Sequence, residues 1–84
     1  MSFQYMVTAI INHIIICIKG TTPNNNPYYV EYDKVDSNDS LIGKNSKGQT
    51  VVLTQSQWNA MLSDEDFKIS VSEIYLDWFL LLIN

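Results

Sequence analysis

YYVEYDKV, residues 28–35, interleaves aromatic and β-branched side chains with acidic ones. Tyr28, Val30 and Tyr32 take one parity, and Tyr29, Glu31 and Asp33 take the other. A strand points successive side chains to opposite faces, so this stretch reads as a strand with one apolar and one aromatic–acidic face. Downstream, residues 41–45 and 50–54 are short apolar runs flanking Asn45-Ser46-Lys47-Gly48. That tetrapeptide is a hairpin turn with glycine near its left-handed position. Residues 28–54 therefore predict an antiparallel β-meander.

Past the meander, Thr54-Gln55-Ser56-Gln57 fits a capping box, with Thr54 as N-cap and Gln57 three residues on. A helix over 55–62 follows, with Trp58, Met61 and Leu62 on one face. Ser63 to Asp66 is a polar turn. Phe67, Ile69 and Val71 then alternate with Lys68, Ser70 and Ser72, which predicts a strand over 67–71. From Glu73 the pattern changes to a helix over 73–83, with Glu73 and Asp77 on its polar edge. A competing start lies at Ser70, for which Glu73 would complete a second capping box.

Upstream, Gly20 to Pro27 holds two prolines, three asparagines and a glycine and is a loop. Residues 2–19 admit three readings. Isoleucine content favours strand. Gln4, Thr8, Asn12 and Lys19 fall on one helical stripe. A hairpin turning at Asn12-His13 is the third. The expected fold is α+β, one small domain over residues 1–84, with one or two helices packed on one face of the sheet.

The two ends of the chain are apolar and the middle is not. Eleven of the fourteen residues from Tyr5 to Ile18 are apolar, and nine of the ten from Ile74 to Ile83, against seven of thirty-one between Gly20 and Thr50. In 84 residues the buried fraction is small, and stability often needs outside help. The single cysteine, Cys17, permits no intrachain disulfide. Surplus apolar surface at the ends therefore predicts self-association, a homodimer or higher, through Ile14, Ile16, Ile18, Trp78, Phe79 and Leu81.

Charge narrows the partners. The chain has no arginine and a net charge of -4, and its five lysines are scattered. Nucleic-acid binders need a basic footprint, so direct nucleic-acid binding is not expected. The apolar run 5–18 contains Asn12 and His13 and falls short of the ~20 residues that cross a bilayer as a helix. With no positive segment at the start, the expectation is a cytoplasmic protein without a membrane span.

Motifs that carry chemistry fail on specific residues. Gly43 to Thr50 has the glycine spacing of a phosphate-binding loop, but Gln49 stands where the lysine belongs and strand follows instead of helix. Asp36 to Ser40 begins like a calcium loop, but Leu41 and Lys47 occupy the glycine and glutamate positions. His13 and Cys17 would pair only on a helix, and no charged neighbour orients the imidazole. Glu31 and Asp33 share a solvent face and lack the apolar pocket that raises a carboxyl pKa. No catalytic residue, metal or cofactor is assigned.

Tyrosine combines a large apolar body with a polar tip and is enriched at protein interfaces. Tyr28, Tyr29, Glu31, Tyr32 and Asp33 are the candidate partner-binding residues. Residues with AT-rich codons (Phe, Tyr, Met, Ile, Asn, Lys) number 34 against 7 with GC-rich codons. Together these features describe a small acidic, non-enzymatic protein of phage or mobile-element type. Its expected role is to bind a host protein and inhibit or redirect it. A small-molecule-sequestering oligomer and a structural virion component are the alternatives.

Overall fold

The computed structural model describes residues 1–75. Its elements run α1 (Phe3–Ile11), β1 (Ile14–Thr21), β2 (Pro27–Val35), β3 (Leu41–Asn45), β4 (Thr50–Leu53), α2 (Gln55–Ser63) and β5 (Lys68–Tyr75). The five strands form one antiparallel sheet in the order β4-β3-β2-β1-β5. The expected α+β class and the meander are both present.

Residues 2–19 divide between two of their three readings. Ser2 caps α1 by accepting from the Tyr5 amide at 3.0 Å. Phe3, Met6, Val7 and Ile10 then repeat at helical spacing and are buried. The helix stops where Asn12 turns its side-chain amide back to the Thr8 carbonyl, and His13 takes φ 66°. Beyond this break the β-branched run from Ile14 forms the strand that isoleucine favours. Gln4 and Thr8 keep the polar stripe of the helix, bonded to each other at 3.3 Å, while Lys19 belongs to β1.

The expected helix over 73–83 is corrected at its start. Glu73 to Tyr75 are strand, and β5 pairs with β1 without interruption from Thr21↔Lys68 to Ile14↔Tyr75. The alternation that begins at Phe67 simply continues, because eight β1 backbone positions are there to pair with it. A ladder in register overrides the helix-like spacing of Glu73 and Asp77. Residues 76–83 of that expectation lie outside the described residues.

Both helices cover the same face of the sheet. Ile16, Ile18, Val30, Tyr32, Leu41 and Leu53 meet Phe3, Met6, Val7 and Ile10 of α1 and Trp58 of α2 in one core. Trp58 reaches it from a helix started by the full capping box at Thr54 and Gln57.

One irregularity matters for the site. The β2–β3 register slips between Tyr32 and Lys34, so Asp33 is an extra residue with no β3 partner. The bulge resets the parity, which lets Val35 pack against the core beside Leu41. Just before it, Gly43 lies directly against β2. A methyl group there would come within 2.1 Å of the Glu31 carbonyl oxygen, so only glycine fits.

Candidate functional site

The tyrosine strand is split by the pleat. Tyr32 is fully buried, and its hydroxyl meets that of Tyr28 at 2.9 Å. Tyr28 is half-buried and packs edge-to-face on Phe67, with centroids 5.5 Å apart. These two side chains belong to the core face. Tyr32 is therefore removed from the partner-binding set: its ring has no surface to offer. Burial, and then the Tyr28 hydroxyl, push its pKa above the usual phenol value.

Tyr29 and Glu31 lie on the other face, where no helix packs among the described residues. Tyr29 is exposed and donates to the Glu31 carboxylate at 2.6 Å. That bond, and after it the neighbouring Cys17, raise the Tyr29 pKa. Cys17 sits opposite Glu31 on β1, buried although it lies outside the helix-covered core. Tyr29 and Glu31 thus form a fixed aromatic–acidic pair on an open surface. Asp33, two residues further on, is also exposed and is the extra residue of the bulge, without a β3 partner.

A depression of about 400 Å³ adjoins Tyr29. It exists because β3 stops at Asn45, opposite Val30, while β2 continues back to Pro27. On its other side β2 remains paired with β1 as far as Thr21↔Pro27. Tyr28, Tyr29, Val30, Val51 and Lys47 are among the residues lining the notch. Lys47 and Val51 are absent from the expected site. Their signal was present in the sequence, since an eight-residue strand at 28–35 outruns a five-residue partner at 41–45.

The self-association residues are placed as follows. Ile16 and Ile18 are fully buried within the single chain, so they form core and leave no subunit surface. Ile14 is half-buried and packs against the same core. Trp78, Phe79 and Leu81 lie outside the described residues.

The remaining motifs resolve into local structure. Asp36 accepts from the amides of Asn38 and Ser40, both at 2.9 Å, so its carboxylate closes its own turn. Asn45 does the same for Lys47 and Gln49, with Gly48 at φ 78°. His13 lies in the turn before β1 and Cys17 within it, so the helical spacing that would pair them does not arise. Among the described residues no three of His, Cys, Asp and Glu converge to hold a metal ion. No helix among them is long and apolar enough to cross a membrane.

A second aromatic–acidic group lies at the far end of the sheet. Glu73 accepts from Tyr75 on its own strand. Tyr5 of α1, and then Tyr75, hold the Glu73 carboxyl below its ordinary value. The same bonds raise both phenols.

Compared with protein-family models, with curated proteins and with solved structures, the chain matches none of them.

Proposed function

We propose that this chain is a small acidic, non-enzymatic binding protein that docks a partner protein on the open face and notch of its sheet around Tyr29 and Glu31. The observation that carries this reading is the exposed Tyr29–Glu31 pair beside a depression where β2, among the described residues, has no partner strand on its β3 side. Exposed tyrosine held in one geometry supplies contact area at low entropic cost. Glu31 beside it favours a partner with basic groups at that point. The codon-biased composition points to a phage or mobile element as the source and a host protein as the target.

A photo-cross-linking amino acid at position 29 tests this, with Ser56 on α2 as the control position. The expected result in lysate of a low-GC bacterial host is one stoichiometric protein adduct from position 29 and none from position 56. Identical adducts from both positions, or none from 29 across several hosts, would overturn it.

Self-association belongs to the same proposal. The outer edge of β5 has no partner strand among the described residues, and the sequence that follows it, residues 76–83, is mostly apolar. Light scattering should give a mass of at least twice 9.7 kDa at micromolar concentration. A monomer mass would remove the dimer and leave the Tyr29 surface standing.

A further inference from the structure

We infer that the notch between β2 and the β3–β4 turn receives the C-terminal end of an extended peptide, its backbone against Tyr29 and its terminal carboxylate at Lys47. This rests on the reading of Tyr29 as part of a protein-binding surface, and names the chemistry of the segment it takes.

Backbone direction comes first. The Glu31 carbonyl points at Gly43 of β3. In a pleated strand alternate residues aim their amide and carbonyl groups to the same side, so Tyr29 aims both toward β3 as well. At Tyr29, however, β3 has already ended, because its last residue Asn45 lies opposite Val30. The N–H and C=O of Tyr29 thus face the notch, while Gly20↔Tyr28 and Thr21↔Pro27 hold the other edge of β2. An extended segment entering in line with β3 would pair with Tyr29 as an added strand.

The notch is closed at one end. The Asn45–Gln49 turn is rigid, with Lys47 and Gln49 amides on the Asn45 side chain and the Gly48 amide on the Asn45 carbonyl, each at 3.0 Å. A chain running along Tyr29 toward this turn has to stop there. Pro27 to Tyr29 leave room for about three residues, roughly 10 Å of strand. The end that meets the turn faces Lys47, the one charged side chain that lines the notch among the described residues. A terminal ammonium would be repelled and a terminal carboxylate attracted. That fixes the direction, with the peptide parallel to β2 and its C-terminus at the turn. Tyr28, Val30 and Val51 supply the apolar lining for its last side chain.

The test uses the full isotope-labelled chain and a pool of N-acetylated pentapeptides ending in valine, isoleucine or leucine, made as free acids and as amides. Amide resonances of Tyr29 and of Ser46 to Gln49 should shift with the acids. Half-saturation should need roughly fivefold more of the amides, or of the acids with Lys47→Ala, as one partly exposed charge pair implies. Tyr29→Pro removes the notch-facing N–H without touching a β1 bond and should abolish the shifts, whereas Tyr29→Ala should only weaken them. Acids and amides binding equally, shifts centred elsewhere, or none at millimolar peptide would overturn the inference. Peptide binding without any partner cross-linked at position 29 would defeat the functional reading and leave the notch. A cross-linked partner that the free-acid peptides fail to displace would defeat the notch and leave the functional reading.

Discussion

Tyr32 shows how one hydroxyl shapes a site without belonging to it. Its ring fills the centre of the core, and its hydroxyl is bonded to that of Tyr28. Tyr32→Phe strands the Tyr28 hydroxyl and should cost about 1 kcal/mol in urea unfolding. The pH dependence has a definite sign. A phenol whose pKa is raised by folding contributes stability that is complete below pH 10.0 and lost as pH climbs toward the folded value. Wild type should therefore lose stability above pH 10.0 more steeply than Tyr32→Phe does. His13 is the opposite case, a side chain held at φ 66° by the turn it terminates. Left-handed backbone costs a non-glycine residue roughly 1–2 kcal/mol, and glycine's added entropy recovers part of that difference. His13→Gly should raise stability by about 0.5 kcal/mol, and His13→Val should lower it, both read as urea midpoints.

At the scale of elements, each helix depends on its first residue. Thr54→Ala removes the cap of α2 and should cost about 1 kcal/mol, with faster amide exchange confined to Gln55–Trp58. The capping box was legible because its four residues are contiguous, and the turn at Gly48 because the left-handed backbone selects glycine. The end of α1 was not legible. Apolar residues continue across Asn12-His13, and only tertiary pairing of Ile14 onward separates helix from strand. The continuation of β5 was missed for the same reason. Glu73 mimics a helical polar edge until β1 provides eight residues to pair with. Tyr5 and Tyr75 depress its pKa, so the stability it lends is present above pH 4.5 and lost as pH falls through the lower folded value. Glu73→Gln should flatten the fall in urea midpoint as pH drops below 4.5.

For the whole molecule, the candidate site is a by-product of unequal strand lengths. Tyr29 and Glu31 are legible as residues, but their separation from buried Tyr32 needs the pleat of the folded sheet. Lys47 joins them because β2 outruns β3. The apolar N-terminal half was read partly as subunit surface, yet Ile16 and Ile18 are consumed internally, because two helices cover that face. The order β4-β3-β2-β1-β5 has a consequence for synthesis. The first four strands are neighbours in sequence and can zip together as the chain emerges. β1 then waits, with its outer edge open, until residues 68–75 leave the ribosome. In that interval the most isoleucine-rich strand of the protein offers a free ladder to any other chain, and pairing across long sequence separation is slow. The hazard for this protein is therefore in its biogenesis, in the window before β5 arrives.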